Sequence, residues 1–237
     1  MVIPVINEGE RIASQLRAMK HHGIPALCDI VIADGGSTDG SLNETLLRET
    51  DVRTILTKTG PGKLSAQLRM GYAYALDQGY DGVVTIDGNG KDSVESIPLF
   101  VQALEEGIDY AQASRFISGG RAVNTPRLRS LGIRLMHAPM LSLAARRRFT
   151  DTTQGFRAYS ARYLAHPEVQ PFRDVFQTYE LLAYLTVRAS QLGLRTREIP
   201  TTRTYPADGT VPTKLNARGN VSLIQILFAT LTGRYHP

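Results

Sequence analysis

Short apolar runs alternate with longer segments of helical periodicity through the first half of the chain. The runs predict strands over residues 1–5, 29–33, 52–56, 82–86 and 108–113, and the periodic segments predict helices over 8–21, 62–78 and 93–106. Parallel strands that are covered on both faces have continuous apolar runs, and their alternation with helices is typical of βα units. The pattern therefore predicts an α/β fold with a mostly parallel central sheet flanked by helices.

The pattern changes after residue 115, where glycine, arginine and helical segments replace the regular alternation. No linker, repeat or low-complexity segment separates the two parts, and 237 residues suit one domain. We predict a single domain over residues 1–237 with halves at 1–115 and 116–237. The apolar segment 221–231 is too short to span a bilayer and predicts an amphipathic C-terminal helix, packed on the core or lying on a membrane surface.

Composition and charge narrow the class of partner. The single cysteine, Cys28, excludes an internal disulfide, and the chain opens without a signal peptide, so we expect a cytoplasmic protein. The net charge is +5, and much of the excess lies between Arg115 and Arg162 in a patch that suits nucleotide phosphates, anionic lipid headgroups or nucleic acid. Because there is no tryptophan and no nucleic-acid-binding motif, we expect no nucleic acid partner.

Two polar clusters each follow a predicted strand. They are Asp34-Gly35-Gly36-Ser37-Thr38-Asp39 and Asp87-Gly88-Asn89-Gly90-Lys91-Asp92. The carboxyl ends of parallel strands form the ligand-binding edge of such sheets, and carboxylate and amide oxygens suit a divalent cation that carries phosphates. The clusters therefore predict chemistry on a nucleoside diphosphate, although the first also reads as a simple turn in which Ser37, Thr38 or Asp39 caps the next helix.

Taken together, these blocks resemble the family 2 glycosyltransferases of the GT-A fold. The resemblance runs through Val2-Ile3-Pro4-Val5-Ile6-Asn7-Glu8, Asp34 to Asp39, Asp87-Gly88-Asn89, Ala113-Ser114-Arg115-Phe116 with Gly119-Gly120, and Asp151 to Tyr159. The last two blocks are most similar to the polyprenyl- and dolichyl-phosphate sugar transferase branch. The resemblance covers nearly the whole chain and implies that residues 1–115 bind a nucleotide sugar and residues 116–237 face the acceptor.

The resemblance also implies a donor site at the strand edge. Pro4, Glu8 and Asp34 would line the site for the base and ribose, with Lys63 or Gln67 near the same donor.

In the second cluster, Asp87 and Gly88 would meet the diphosphate together with Mg²⁺ or Mn²⁺. The third position departs from the usual pattern, because Asn89 is a neutral and weaker cation ligand. Asp92 would restore the missing charge as a further metal ligand, or Lys91 would itself neutralise phosphate and reduce the dependence on metal.

In the second half, the resemblance points to arginines and to a late basic loop. Arg115 would act on the leaving diphosphate, and Arg127 and Arg129 are further phosphate-binding candidates. Asp151 and Gln154 lie in the branch block and would bind substrate, Asp151 by organising the acceptor pocket unless it only caps a turn. The loop residues Tyr205, Lys214 and Arg218 would clamp the donor or recognise the acceptor.

The expected enzyme is an inverting glycosyltransferase that uses a nucleotide-diphosphate sugar. Its acceptor would be a polyprenyl phosphate or a lipid-linked glycan at the inner face of the membrane, met directly as a peripheral protein or through a membrane partner. One alternative is transfer to a polysaccharide or small-molecule hydroxyl with Glu180 as the catalytic base, since a hydroxyl must lose a proton and a lipid phosphate need not. The other is a catalytically weak nucleotide-sugar-binding protein.

Overall fold

The computed structural model describes residues 1–207 and 217–237, with side chains described as far as 207 and again from 222. In these residues the strands are β1 (Val2–Val5), β2 (Ile30–Asp34), β3 (Val52–Thr57), β4 (Gly82–Thr85), β5 (Tyr110–Ser114), β6 (Arg121–Val123), β7 (Arg157–Ser160), β8 (Thr196–Pro200) and β9 (Thr202–Thr204). The helices are α1 (Glu10–His21), α2 (Ile24–Leu27), α3 (Glu44–Glu49), α4 (Leu64–Asp77), α5 (Ile97–Glu105), α6 (Arg127–Gly132), α7 (Ala138–Ala145), α8 (Ala161–Leu164), α9 (Glu180–Gln191) and α10 (Ala217–Leu231). A π-helical turn, Ile133–His137, joins α6 to α7.

The central sheet of the described chain has seven strands in the order β3-β2-β1-β4-β7-β5-β8. Neighbours pair in parallel except at β7, which is antiparallel to both β4 and β5. Strands β6 and β9 form a separate parallel pair. The mostly parallel α/β sheet predicted from the apolar runs is confirmed, and each predicted strand begins and ends within two residues of the observed one.

Both faces of the sheet are buried, which explains the continuous apolar runs. In β1, Val2 enters a core shared with α4, α7, α9 and α10, whereas Ile3 and Val5 enter a core on the other face shared with α1 and α5. Helix α10 contributes Ile226 and Leu227 to the first of these cores, so the predicted C-terminal amphipathic helix packs on the protein. Among the described residues, no helix combines the length and apolarity needed to cross a bilayer.

The topology brings five loops to one edge of the sheet. Strands β1, β2, β4 and β5 run in the same direction, so the segments that follow Val5, Asp34, Thr85 and Ser114 leave the sheet at the same side. Because β7 runs the opposite way, the segment that precedes Arg157 reaches this edge as well. Residues far apart in sequence therefore meet there.

Candidate active site

Asp87 lies two residues beyond β4, and 22% of its side chain is exposed. Gly155 packs directly on it, because a Cβ at position 155 would lie 2.1 Å from Oδ1 of Asp87. Gly88 lies equally close to β1, where a Cβ would lie 2.9 Å from Cγ2 of Val5 and 3.1 Å from the carbonyl oxygen of Pro4. The two glycines therefore allow the carboxylate to sit against the backbone where β1, β4 and β7 meet.

Arg203 of β9 lies beside Asp87, and the sequence analysis did not assign it a role. Its Nη1 donates to both carboxylate oxygens of Asp92, at 2.5 and 2.7 Å, and its Nη2 lies 3.3 Å from Oδ2 of Asp87. Burial works to lower the pKa of Arg203, but the two carboxylates outweigh it and raise the pKa above its ordinary value. The Asp92 side chain is thus fully buried with both of its oxygens engaged by Arg203, and its role as a metal ligand stays a prediction.

Asn89, Lys91 and Tyr205 also lie around Asp87. Together with Arg203, these residues form what we call the Asp87 corner. Nδ2 of Asn89 lies 3.5 Å from Oδ2 of Asp87, and Nζ of Lys91 lies 5.3 Å from the centre of the Tyr205 ring. Burial and the nearby Arg203 charge lower the pKa of Lys91. A cleft of about 670 Å³ opens between α1 and this corner and is lined in part by Asn89, Lys91 and Tyr205. The structure thus brings these predicted residues together with Asp87.

The corner fits a cation that arrives with phosphates better than a preformed metal centre. The described residues contain no group of three or more His, Cys, Asp and Glu side chains that could hold a metal ion. With Asp92 engaged at 2.5 and 2.7 Å, the corner offers the Asp87 carboxylate and the amide oxygen of Asn89. Both accept longer hydrogen bonds, Asp87 at 3.3 Å from Arg203 and at 3.5 Å from Asn89, and Asn89 at 3.3 Å from the backbone nitrogen of Lys91. Mg²⁺ at nucleotide sites is commonly held by one or two carboxylates and by the substrate phosphates. Asp87 and Asn89 are therefore the residues that would hold the metal.

Arg129 of α6 adds positive charge to the same corner. Its Cζ lies 5.8 Å from the centre of the Tyr205 ring, and its Nε is buried without a hydrogen-bond acceptor among the described residues. Burial works to raise the pKa of Tyr205, but the guanidinium groups of Arg203 and Arg129 outweigh it and hold the pKa below its ordinary value. A buried donor that lacks an acceptor in a positive corner suits an anionic ligand.

Arg115 and Asp151 form a buried ion pair next to this corner. Nε of Arg115 donates to Oδ2 of Asp151 at 2.6 Å, and the two side chains are 1% and 0% exposed. Thr153 and Gln154 donate to the same carboxylate, Thr153 from its backbone nitrogen at 3.2 Å and Gln154 from Nε2 at 2.7 Å. Burial works to raise the pKa of Asp151, but the Arg115 charge and these hydrogen bonds hold it below its ordinary value.

This network engages three residues for which we predicted roles in the site. Arg115 contacts Asp151 and Thr153, and its action on the leaving diphosphate stays a prediction. Gln154 is fully buried and contacts Asp151 and Thr201, and its role in substrate binding stays a prediction as well. Asp151 accepts a hydrogen bond from the backbone nitrogen of Thr153, which fits the turn-capping role that we left open for it beside the acceptor pocket. Nη1 of Arg115 is still without an acceptor among the described residues.

Arg157 is a second buried arginine whose role the sequence did not reveal. It donates to three backbone carbonyl oxygens, those of Thr152 at 3.0 Å, Gln154 at 2.7 Å and Leu182 at 2.6 Å. These bonds tie the loop before β7 to helix α9. Gly155 lies within this loop and packs on Asp87. By holding the loop in place, Arg157 therefore fixes the position of a residue that contacts Asp87. Its place in the 151–159 block was the only signal that could have drawn attention to it.

His137, in the π-helical turn, supports the same loop. Its Nδ1 lies 2.6 Å from Oγ1 of Thr152. Burial, reinforced by the charge of Arg157, lowers the pKa of His137 to about 4. The imidazole is therefore neutral at neutral pH.

Because of His137, we expect the free energy of unfolding to fall by about 2–3 kcal/mol as the pH is lowered from 6.5 to 4. The unfolded chain protonates this imidazole near pH 6.5, whereas the folded chain does so only near pH 4. The unfolded state therefore binds more protons in that window, and the stability present above pH 6.5 is lost as the pH falls. Urea unfolding of the wild type and of His137→Gln at pH 7 and pH 4.5 measures the effect. Equal pH dependence in the two proteins would contradict it.

The first polar cluster, Asp34 to Asp39, joins the loops after β1 and β2. The Asp34 carboxylate accepts hydrogen bonds from the backbone nitrogen of Ser37 at 3.0 Å and from its Oγ at 2.6 Å. Oδ1 of Asn7 accepts from the backbone nitrogen of Thr38 at 2.8 Å. The cap of α3 is Asn43, which corrects the expectation that Ser37, Thr38 or Asp39 caps the next helix. The cluster is thus a pair of linked loops beside the half-buried Pro4 and Glu8, which were predicted for the nucleoside.

Lys63 and Gln67 are placed differently from each other. Lys63 is exposed at the start of α4, where its backbone nitrogen donates to the carbonyl oxygen of Gln177. Gln67 is buried, and its Nε2 donates to the carbonyl oxygens of Val5 at 2.9 Å and Ala33 at 2.8 Å. Its amide nitrogen therefore links the ends of β1 and β2, and its place near the donor stays a prediction. Lys63 stays a donor-site prediction.

Glu180 begins helix α9, and its carboxylate is engaged by the preceding segment. It accepts hydrogen bonds from the backbone nitrogens of Gln177 at 3.0 Å and Thr178 at 2.5 Å, and from Oγ1 of Thr178 at 2.7 Å. The carboxylate is therefore not free in this structure, and its role as the base of the hydroxyl-acceptor alternative stays a prediction. The neighbouring Tyr179 was not assigned a role; burial and then the charge of Asp87 raise its pKa. The predicted Lys214 and the side chain of Arg218 lie outside the described residues.

Comparison with known proteins agrees with this geometry. The model of the family "Glycosyl transferase family 2" matches residues 1–166. An undecaprenyl-phosphate mannosyltransferase from Micrococcus luteus is 29% identical over 206 residues, which cover 85% of this chain and 81% of that protein. A polyprenol monophosphomannose synthase from Mycolicibacterium smegmatis is 27% identical, over 86% of this chain and 76% of that protein.

Among solved structures, the chain resembles glucosyl-3-phosphoglycerate synthase from Mycobacterium tuberculosis, determined in complex with Mn²⁺, uridine diphosphate and phosphoglyceric acid. The TM-score is 0.67, the identity is 20%, and the match covers 98% of this chain and 76% of that one. At this level of identity the likeness establishes the shared GT-A fold and no more.

Proposed function

This chain belongs to glycosyl transferase family 2, and on that premise we propose that it transfers a sugar from a nucleoside diphosphate sugar to a polyprenyl phosphate. The observation that carries the proposal is the corner after β4, where the partly exposed Asp87 lies among Arg203, Lys91 and Arg129. Such a corner suits a diphosphate and its accompanying cation. The mannosyltransferase and synthase relatives, named for undecaprenyl phosphate and polyprenol, support a lipid phosphate as the acceptor.

The residues of the corner act on the charge of the leaving group. When the acceptor oxygen bonds to the anomeric carbon, the bond from that carbon to the diphosphate oxygen breaks. The nucleoside diphosphate leaves with increased negative charge, and fixed positive groups lower the energy of that transition state. Lys91 and Arg129 supply such groups, and Arg203 holds Asp87 in place. A divalent cation, when bound at Asp87 and Asn89, supplies further charge stabilisation. We propose an inverting, in-line displacement.

The acceptor phosphate needs positioning more than deprotonation. A lipid phosphate is already anionic at neutral pH, so no general base is required for its attack. This agrees with the capping bonds that engage Glu180. We propose that residues 1–115 hold the donor, with Pro4, Glu8, Asp34 and Lys63 near the nucleoside, and that residues 116–237 face an acceptor at the cytoplasmic surface of a membrane.

We expect Glu180→Gln to change the rate of transfer to a short prenyl phosphate by no more than about threefold, because that acceptor needs no base. A catalytic base would instead be worth about 10²–10⁴-fold. The assay supplies a panel of UDP- and GDP-sugars with Mn²⁺ and compares a prenyl phosphate with hydroxyl acceptors, for the wild type and the variant. Thermal unfolding checks that the altered cap of α9 leaves the variant folded.

Other outcomes of this experiment contradict the proposal in distinct ways. Transfer only to hydroxyl acceptors, lost in Glu180→Gln, would establish the sugar-hydroxyl alternative. Tight donor binding in isothermal titration without transfer to any acceptor would indicate a nucleotide-sugar-binding protein. No binding of any nucleotide sugar would exclude all three hypotheses: the lipid-phosphate transferase, the hydroxyl transferase and the nucleotide-sugar-binding protein.

A further inference from the structure

Helix α6, the π-helical turn and α7 run without a break from Arg127 to Ala145, and this helix carries an exposed apolar stripe. The stripe consists of four leucines whose exposed fractions are 84% for Leu128, 54% for Leu131, 69% for Leu135 and 70% for Leu143. Spacings of three, four and eight residues place side chains on one side of a helix. A row of leucines this exposed is uncommon on a monomeric protein and marks an interaction surface.

The opposite side of the same helix is firmly packed. Ile133, Ala138 and Leu141 are at most 4% exposed. Nδ1 of His137 contacts Thr152, and Arg129 reaches the Tyr205 ring in the Asp87 corner. The leucine stripe therefore points away from a surface that is anchored to the candidate active site. Helix α10 packs on α7 and adds the exposed side chain of Phe228, which is 56% exposed.

The charge of the chain segment that carries the stripe has a single sign. Residues 110–150 contain eight arginines and not one aspartate, glutamate or lysine. Six of these arginines have exposed side chains: Arg121, Arg127, Arg134, Arg146, Arg147 and Arg148. A second copy of the chain would bring the same positive charges together, which disfavours self-association through this face. An anionic surface with an apolar interior meets both the charge and the leucines.

We propose that the leucine stripe docks this protein on an anionic lipid bilayer, with the leucines entering the headgroup boundary and the arginines contacting lipid phosphates. Because Arg129 belongs to the same helix, docking brings the Asp87 corner to the membrane surface. That consequence rests on the proposed function, since it concerns delivery of a lipid phosphate. The docking itself does not, since it requires neither donor nor acceptor.

The test is co-sedimentation with vesicles in the absence of donor and acceptor. The wild type binds vesicles of phosphatidylcholine with 30% phosphatidylglycerol and binds pure phosphatidylcholine much more weakly, and salt reduces the difference. Leu128→Ser/Leu131→Ser/Leu135→Ser lowers the partition coefficient on anionic vesicles by about tenfold or more. Arg146→Gln/Arg148→Gln weakens binding to the anionic vesicles and leaves binding to pure phosphatidylcholine unchanged. Circular dichroism and thermal unfolding verify that each variant is folded.

A matched control is Leu27→Ser/Leu99→Ser. Both leucines are 43% exposed, but they lie on α2 and α5, and α5 packs on the other face of the sheet from α7. Their replacement leaves vesicle binding unchanged. The triple serine variant also keeps donor binding and transfer to a short water-soluble prenyl phosphate, while it loses transfer to a long prenyl phosphate in vesicles.

Three results would overturn the docking proposal. The first is a wild-type protein that binds neither kind of vesicle, and the second is a triple serine variant that binds as well as the wild type or no worse than the control variant. The third is a wild-type dimer in solution that the triple serine variant no longer forms. Failure of the proposed function looks different, because vesicle binding would then persist with no sugar transfer.

Discussion

Replacing Asp87 with asparagine lowers kcat/KM for sugar transfer by about 10²–10³-fold, the size of effect found when one electrostatic stabiliser is removed from an active site. Asp87 is the partly exposed carboxylate of the corner, whereas its neighbour Asp92 is buried beneath Arg203. The substitution keeps the shape of the side chain but removes the charge that a cation and Arg203 both contact. Steady-state kinetics with a short prenyl phosphate, and the donor Kd from isothermal titration, measure the loss.

A second variant displaces the Asp87 carboxylate by changing its neighbour Gly155. A methyl group in Gly155→Ala would lie 2.1 Å from Oδ1 of Asp87, so the carboxylate has to move, and we expect a loss of transfer of the same order. Gly132→Ala is the matched control, because no heavy atom lies within 4 Å of the added methyl. An Asp87→Asn enzyme within threefold of the wild type would place the chemistry elsewhere.

Replacing Asp151 with alanine lowers the free energy of unfolding by about 3–5 kcal/mol, because it leaves the buried Arg115 without its counter-ion. The Arg115 side chain is 1% exposed, so water cannot replace the lost carboxylate unless the loop opens. Urea denaturation at pH 7 measures the change. The control is Glu10→Ala, which breaks the exposed Arg17–Glu10 pair and costs less than about 1 kcal/mol.

The double variant Arg115→Met/Asp151→Leu separates a structural pair from a catalytic one. Removing both charges recovers much of the stability lost in Asp151→Ala, since no unpaired buried charge is left. If Arg115 only positions the loop, the recovered protein also regains donor binding. A stable double variant that binds no donor would instead show that Arg115 contacts the diphosphate.

The strands and the loops at their ends were predictable from local pattern. Buried parallel strands need apolar residues at every position, so the runs around Val31 and Val83 were visible in the chain itself. Asp34 and Asp87 follow these runs directly, and parallel strands release their loops at one edge, which places both residues without further information.

The pairing of side chains within the corner was not predictable in this way. Asp92 reads as a metal ligand because it is a carboxylate near Asp87, yet Arg203, 111 residues away, occupies it. Glu180 was predicted as a base because it lies roughly where family members with hydroxyl acceptors carry one, yet its oxygens accept from residues two and three positions earlier. The sequence around a carboxylate does not show which hydrogen-bond donor will pair with it in the folded protein.

The fold, the family and the edge of the sheet where the chemistry lies were predictable, because they follow from periodicity and from ordered local motifs. Long-range packing was needed to reveal that Arg115 pairs with Asp151, that Arg203 bridges Asp92 and Asp87, and that four leucines of one helix face outward. Periodicity acts through neighbouring residues, whereas the partner of a buried charge and the exposed face of a helix depend on which distant elements pack against it.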